Sequence, residues 1–502
     1  MGIKKYYATK DNTIANAFEG NLITRGTGAN MGAADILETF VIHGQTSASL
    51  SDSPSLANAN AAEQSRFIIE FPISSIQSDM TDGILPTSTG SIKFHLNIYN
   101  APHGSTTPEG FTLDLFMLSQ SWSEGRGLDM DNYSDLGVSN WISSSAGVAW
   151  TNPGGSFHKG ANYSSSIYFN TGLEDISIDV SEQVYKWLDS TNNDGFLLKF
   201  PDSVVSGSST LFTKKFFSRT SEYYFYQPTL EARWDDARKD NRGNFLISSS
   251  IAPASDNINT LYLYNVVRGQ LANIPGLANN TLMVEVFSGS TEPTGSALNI
   301  INSSGQSVTA VTGGLLIENG NAITGVYTAS WASTSSLTTL FDVWHTGSGA
   351  SRIEYKTGSY TPEEVGTSNL LYDTQYITKI TNLEDQYAKG QTPRLRVFVR
   401  DKNWQPNIFT VASKKVKTTV IEDAYYKVFR SIDNLEIIPY GTGSSNNNFT
   451  RLSYDVSGNY FELDTSCLEA GYSYGIQFAY YLQGDYRQQP EIFKFKIEEE
   501  DV

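Results

Sequence analysis

A cluster of carboxylates lies in the stretch SQSWSEGRGLDMDNYSDLG, residues 119–137, of a chain that is otherwise poor in charge. Asp129, Asp131 and Asp135 lie close together there, a few residues after Glu124. Carboxylates at such spacing suit a calcium loop, a pair of catalytic carboxylates or a solvated loop of a β-protein. The three alternatives make different demands on the neighbouring residues.

A calcium loop of the EF-hand type needs oxygen ligands at fixed positions and a glycine at the sixth. Counted from Asp129, the fifth position is Tyr133, the sixth is Ser134 and the twelfth is Asn140, so this template fails. A looser oxygen site formed by Asp129, Asp131 and Asp135 remains as a weak metal candidate. A solvated loop and a contact with another subunit are the alternatives.

No other pattern in the sequence is typical of an active site. The five histidines are not at zinc-ligand spacing, and no Gly-x-Ser-x-Gly elbow joins a strand to a helix. The glycine-rich phosphate loop is absent from the sequence as well. Cys467 is the only cysteine, which excludes an intrachain disulfide. We therefore expect a protein that is not an enzyme and that uses no cofactor.

Four consecutive aromatic residues, 223–226, form a second group. In a strand they would alternate between two faces, so that one pair would be buried and the other exposed. Exposed aromatic rings anchor protein interfaces and stack on sugars. Tyr224 and Tyr226 are therefore interface candidates, with core packing and a sugar platform as the alternatives.

A basic run begins at the alternating segment RLRVFVR, residues 394–400. A solvated sheet face is the simplest explanation, and a docking face for an acidic neighbour, including another copy of the chain, is the alternative. We take four of these residues as interface candidates: Arg394, Arg396, Lys414 and Lys415.

Composition limits the elements that can position these groups. The 502 residues are only 18% charged, include 28 Tyr and 26 Phe, and carry a net charge of −18. This composition favours β-strands joined by polar turns, and the acidic surface disfavours nucleic acid and anionic membranes as partners. No apolar run reaches transmembrane length and no signal peptide is visible, so we expect assembly in a cytoplasm.

Alternating apolar residues predict strands along the whole chain, for example in FTLDLFMLS, residues 111–119. Helical spacing appears after Ser181, which we expect to cap a short helix. The polar segment 235–243 reads as a linker, and tyrosine corners are expected at Tyr327 and Tyr474. We predict an all-β protein with three domains, residues 1–236, 237–362 and 363–502.

Several motifs follow one another in order in the first 234 residues. They begin with Asp11 and Thr13 and continue with Arg66, Phe71, Trp122, Glu124, Val184, Trp187, Gly195 and Lys199, then Ser218, Arg219, Pro228 and Leu230. This order resembles the DNRLRE family of β-sandwich domains. Thr220 departs from it, because that family has Glu after Ser-Arg, and the loop 125–147 is longer than usual.

The resemblance implies a jelly-roll-like N-terminal sandwich with one short helix that serves as an adhesive or structural module. The segments YTASW, residues 327–331, and FDVWHTGS, residues 341–348, resemble Ig-like pieces of phage structural proteins, so two smaller Ig-like sandwiches are expected to follow. This domain combination, with one cysteine and no visible signal peptide, is similar to a component of tailed-phage virions. We expect a virion component of the neck, tail or capsid surface that contacts other virion proteins as a homo-oligomer or symmetric array. A carbohydrate-binding adhesin that meets a host glycan is the alternative, and an accessory module of a glycan-degrading enzyme is a second one.

Overall fold

A computed structural model describes most of the chain. The described residues are 2–19, 24–43, 63–104, 107–128, 138–207, 211–364, 375–406, 408, 411 and 418–499. Their secondary structure is mainly strand, which confirms the predicted all-β class. Two compact units are present, residues 3–234 and residues 235–502, and each is described by itself. The division of residues 237–502 into two domains stays a prediction. In the described part of the chain, no helix is long and apolar enough to cross a membrane.

The unit of residues 3–234 contains thirteen strands and three α-helices in its described part. The strands are β1 (Ile3–Tyr7), β2 (Lys10–Asn16), β3 (Ile36–Ile42), β4 (Glu63–Glu70), β5 (Lys93–Ile98), β6 (Phe111–Met117), β7 (Ser143–Ser145), β8 (Val148–Ala149), β9 (Ser164–Phe169), β10 (Ile176–Asp179), β11 (Phe196–Lys199), β12 (Leu211–Phe217) and β13 (Thr229–Arg233). The helices are α1 (Ile73–Thr81), α2 (Ser181–Asp189) and α3 (Asp202–Val205). Single 3₁₀ turns lie at Ala161–Tyr163 and Tyr224–Tyr226.

Two sheets enclose the main core of this unit. One has four strands in the order β1-β13-β5-β10, and the other has seven, in the order β12-β3-β4-β11-β6-β9 with β2 also paired to β4. Leu96 and Leu230 of the first sheet belong to the same buried cluster as Phe67 and Leu113 of the second. The arrangement follows from alternation, because every second residue of β6 is buried.

The predicted helix is confirmed as α2, with Val184 and Trp187 on its buried side. Ser181 is its first residue and not its cap, because its hydroxyl accepts the Phe94 backbone N–H at 2.8 Å. Helices α1 and α3 were not predicted. Both begin directly after a proline, Pro72 and Pro201, which ends the preceding extended segment.

The unit of residues 235–502 contains 21 strands in its described part. They are β14 (Phe245–Leu246), β15 (Asn259–Tyr264), β16 (Val266–Val267), β17 (Gln270–Leu271), β18 (Leu282–Ser288), β19 (Ile300–Ile301), β20 (Ser307–Val308), β21 (Ala310–Glu318), β22 (Asn321–Trp331), β23 (Leu340–Thr346), β24 (Ile353–Tyr360), β25 (Pro362–Glu363), β26 (Tyr376–Ile380), β27 (Gln386–Ala388), β28 (Arg394–Asp401), β29 (Ala424–Arg430), β30 (Glu436–Ile438), β31 (Ser453–Asp455), β32 (Gly458–Glu462), β33 (Ser473–Leu482) and β34 (Asp485–Glu498). Its 3₁₀ turns lie at Asn241–Gly243, Ala254–Asn257, Ala278–Asn280, Gly349–Ser351, Ser444–Asn446 and Thr465–Cys467.

The middle of the chain forms one six-stranded sheet, in the order β15-β22-β21-β18-β23-β24. Its inner face buries Trp331 and Trp344. The Lys356 ammonium of β24 donates to the Tyr262 carbonyl of β15 at 3.1 Å, so the two terminal strands of the sheet approach each other. The sheet is therefore curled around its own core.

The last part of the chain pairs a four-stranded sheet, β26-β28-β32-β31, with a five-stranded one, β27-β34-β33-β29-β30. Tyr426 and Phe461 stack between them with ring centroids 4.4 Å apart. The Tyr474 hydroxyl donates to the Glu469 carbonyl at 2.7 Å and accepts the Glu469 N–H at 2.9 Å. This bond to backbone a few residues upstream confirms a tyrosine corner. Tyr327 was predicted wrongly, since it bonds instead to Ile274, which is distant in sequence.

Candidate functional site

Three charged residues from distant parts of the sequence meet in the unit of residues 3–234. Arg219, after β12, makes two hydrogen bonds to the Glu124 carboxylate, of 2.7 and 2.5 Å. Its backbone N–H donates to Asp11 Oδ2 at 2.7 Å, and the Asp11 N–H donates to Glu124 Oε1 at 2.9 Å. The triad of Asp11, Glu124 and Arg219 therefore joins β2 to the loops that follow β6 and β12.

Two buried asparagines extend this triad. Asn12 donates to the carbonyl of Ser139 at 3.0 Å and accepts the Met31 N–H at 2.9 Å. Asn30 accepts the Gly127 N–H at 2.9 Å. A Cβ at Gly127 would overlap the Asn30 carbonyl, so only glycine allows this approach. The loop after Trp122 is thus held to the sheet by side-chain to backbone bonds.

The electrostatics of the triad centre on Asp11, which is fully buried. Its pKa is raised to about 7, chiefly by burial and to a lesser extent by the nearby Glu124 carboxylate, while the hydrogen bond from the Arg219 N–H acts in the opposite direction. Asp11 Oδ1 is buried and accepts no hydrogen bond from the described residues. The Glu124 carboxylate and the Arg219 guanidinium bond to each other. The triad is therefore better suited to holding the loops against the sheet than to proton transfer or metal binding.

The aspartates of the acidic loop, Asp129, Asp131 and Asp135, lie outside the described residues. The part of the loop nearest Trp122 is described, and there Glu124 pairs with Arg219. Among the residues that the structure describes, no group of three or more His, Cys, Asp or Glu side chains could hold a metal ion.

The aromatic run does not form the expected strand. Residues 224–226 form a 3₁₀ turn, and the Gln227 side chain closes the loop by donating to the Ser221 carbonyl at 2.9 Å. The alternation argument for Tyr224 and Tyr226 was therefore wrong, because a helical turn does not send neighbouring side chains to opposite faces.

The rings instead form one partly exposed cluster. Tyr226 stacks on Phe217 at 5.1 Å and meets Tyr99 edge-on at 5.7 Å, while Tyr224 contacts Tyr7 at 5.0 Å. Tyr223 joins them and is 53% exposed. This aromatic cluster (Tyr7, Tyr99, Phe217, Tyr223, Tyr224 and Tyr226) presents ring surface to solvent.

Two arginines of the predicted basic face pair with neighbouring acids. Arg394 pairs with Glu462 at 2.6 Å and Arg396 with Asp455 at 2.6 Å. Both guanidinium groups also lie over the Tyr460 ring. Lys414 and Lys415 lie outside the described residues. A docking role for these four residues stays a prediction, and the two described arginines already have acidic partners within their own unit.

The segment predicted as a linker, residues 235–243, is a packed element of the second unit. The Arg242 guanidinium makes two bonds to Asp342 of β23, of 2.5 and 2.6 Å. Asp342 is fully buried and also accepts the Trp344 indole N–H at 2.6 Å. A Cβ at position 358 would overlap the Arg242 side chain, so Gly358 leaves the space for it.

The same segment also bonds to the last part of the chain. The backbones of residues 238 and 240 exchange hydrogen bonds with Tyr454 of β31, each 3.0 Å long. The side chain of Arg238 also makes two bonds of 2.5 Å to Glu318 at the end of β21. We name residues 238–242 the joint segment, because successive residues bond to the six-stranded sheet and to the β31 side in turn.

Sequence reasoning missed the pairing of both arginines in the joint segment. One signal was available, since Asp342 interrupts the apolar stretch TTLFDVWH, residues 338–345. A carboxylate inside a buried strand requires a charged partner. The sequence could not identify that partner, because Arg242 is 100 residues away.

Comparison of the chain with models of known protein families and with curated proteins gives no match in either case.

Proposed function

We propose that this chain is a non-enzymatic structural component of a bacteriophage virion, at the neck, tail or capsid surface, and that it acts through contacts with other virion proteins. The observation that carries this proposal is the joint segment. Successive ion pairs and backbone bonds fix the curled sheet to the β31 side of the last sheets, so residues 235–502 form a spacer of set geometry. A component that sets distances in an assembled particle requires such stiffness.

Two further observations support the proposal. The charged groups of the triad and of the joint segment bond to each other, which leaves them poorly suited to act on a substrate. The motif order of residues 1–234 resembles an adhesive and structural β-sandwich family, and residues from it, Asp11, Glu124 and Arg219, form the triad.

The test is to purify the particles of the phage that encodes the chain and to measure its copy number by quantitative mass spectrometry and particle reconstruction. We expect a fixed number of copies per particle that matches a symmetry of the neck, tail or capsid. A chain that is absent from particles, or present in variable traces, would contradict the proposal.

The aromatic cluster favours a second function, a carbohydrate-binding adhesin. Tyrosine rings stack on sugars, and Tyr223 and Tyr226 present ring surface within one turn of chain. On a glycan array, an adhesin binds a defined sugar and loses it on Tyr223→Ala or Tyr226→Ala. The matched control is Tyr481→Ala, because Tyr481 is also exposed, at 43%, and lies in the other unit. If the chain occurs in particles and binds no glycan, the adhesin proposal fails and the structural proposal stands.

A further inference from the structure

The seven-stranded sheet ends at β9, whose outer edge pairs with no other described strand. Among the described residues β9 pairs with β6 alone, in unbroken register from Phe111↔Phe169 to Phe116↔Ser164. Tyr168 of this strand is 65% exposed. The outer backbone N–H and C=O groups of such a strand can accept a further strand.

Natural sheet edges usually carry a feature that blocks such addition, and β9 carries none. Residues 160–173 contain no Asp, Glu, Lys, Arg or Pro. The opposite edge of the same sheet, β12, differs, because it carries Lys214 and Lys215 and is bent by a bulge after Leu211. It is also bridged to Asn100.

The terminal strands of the other large sheets are protected in the same sense. Lysines or acids lie on β1, β10, β24, β26, β30 and β31; β27 has only three residues; and β15 is covered by bonds from Lys356 and Asn241. Among the described terminal strands of these sheets, β9 is therefore the one whose sequence and geometry leave it available.

We infer that β9 pairs antiparallel with β9 of a second copy of this chain. In antiparallel pairing, directly opposed residues lie on the same face of the sheet, so a two-fold axis must place one residue opposite its own copy. Because β9 is centred between Ser166 and Ile167, that residue is one of these two. In the first case Tyr168 lies opposite Ser164 of the second copy, and in the second case opposite Ser166. Either register places the large ring beside a small side chain, so the strand is complementary to itself.

The lack of charge on β9 also favours a second copy of this chain as the partner at this edge. The chain has a net charge of −18, and a contact between identical surfaces brings identical charges together. Residues 160–173 are uncharged, so the two paired strands themselves avoid that repulsion, and the carboxylate of Asp114 lies one strand further in, on β6, where it accepts a bond from Ser166 at 2.7 Å. Pairing would join two seven-stranded sheets into one continuous sheet.

The contact is small, with about six backbone hydrogen bonds for a six-residue strand. It is therefore weak alone and strong when many copies are held in one array. This inference deepens the proposed function and rests on it for that array, but the pairing itself can be measured with the isolated chain.

The first experiment compares self-association of the full chain with that of the double variant Ser166→Lys, Tyr168→Lys by analytical ultracentrifugation. We expect the wild-type chain to dimerise at high concentration and the variant to bind at least about tenfold more weakly, because four lysines meet across the axis. Ile317→Lys is the control, since Ile317 is 62% exposed and lies in the other unit. A wild-type chain that stays monomeric, or a variant that associates equally well, overturns the inference.

A second variant keeps the test valid if the lysines impair folding. Ser166→Cys places a thiol at the edge, and the native Cys467 is buried. We expect a short bismaleimide to link two copies through residue 166, and not through a cysteine at residue 317. If the chain occurs in particles without this link, the inference fails and the proposed function stands. If the link forms but the chain is absent from particles, the proposed function fails instead.

Discussion

The two units bury carboxylates in different ways. In residues 235–502, Asp342 is fully buried and its oxygens accept bonds from Arg242 and Trp344. In residues 3–234, Asp11 is equally buried, but one of its oxygens accepts no hydrogen bond from the described residues, and Glu124, of the same charge, is its neighbour. The comparison indicates that a complete set of partners makes a buried carboxylate part of a stiff joint. An incomplete set makes the stability of the fold depend on pH.

The largest expected effect is on the complete pair. Arg242→Ala removes the guanidinium and leaves the Asp342 carboxylate buried without its charged partner. We therefore expect the free energy of unfolding of residues 235–502 to fall by about 3–5 kcal/mol. Guanidinium denaturation followed by tryptophan fluorescence measures this, because Trp331 and Trp344 lie in the affected core. Arg238→Ala is the matched control and should cost less, since its pair with Glu318 is about one quarter exposed. Equal losses of unfolding free energy in the two variants would contradict the larger contribution expected of the buried pair.

The triad should respond more weakly. Arg219→Ala removes two charge-assisted bonds to Glu124 but keeps the backbone bond to Asp11, so we expect a loss of about 2 kcal/mol. Arg219→Lys should lose roughly half as much, because an ammonium keeps the charge without the two-pronged geometry. Thermal unfolding of the full chain measures both. No change in either variant would show that the triad does not close the fold.

The pH dependence separates the two units most directly. The folded-state pKa of Asp11, about 7, lies above its ordinary value of 3.8, so its contribution to stability is present below pH 3.8 and is lost as the pH rises through 7. We expect Asp11→Asn to flatten this fall, which is at most about 1.4 kcal/mol per pH unit. Urea denaturation of wild type and variant between pH 4 and 8 measures it. Parallel curves would mean that Asp11 is charged in the folded protein throughout.

The smallest effect is expected at the surface of residues 235–502. Arg394 pairs with Glu462 where both side chains are 40% exposed or more. We therefore expect Arg394→Ala to change the free energy of unfolding by less than about 1 kcal/mol. Arg396→Ala is the control and should cost somewhat more, because its partner Asp455 is less exposed. A large loss at Arg394 would show that this face contributes to the joint as well.

Local patterns predicted much of the fold. Period-two alternation located strands such as β6 and β28, and helical spacing located α2, because both signals depend on neighbouring residues alone. The run of aromatic residues was misread for the same reason. A loop closed by the Gln227 side chain overrides strand propensity, and no local pattern reveals such a bond.

The sites were less predictable, because their members are far apart in sequence. The resemblance placed Asp11, Glu124 and Arg219 in one motif order but gave no reason for them to meet. The polar composition of residues 235–243 predicted a linker, although its arginines Arg238 and Arg242 pair with acids 80 and 100 residues away. Composition reports polarity, and only the topology shows which polar groups are paired.

The bonds that complete the first unit have a consequence for its synthesis. Asp11 is bonded to a residue 208 positions later, and β1 pairs with β13 near residue 230. A ribosome adding about 5–20 residues per second needs about 10–45 s to reach that point. Until then β2 and β4 can pair, but neither the triad nor the four-stranded sheet can form. The strands made earlier therefore stay exposed in the nascent chain. The unit is completed only when residues 219–233 emerge from the ribosome.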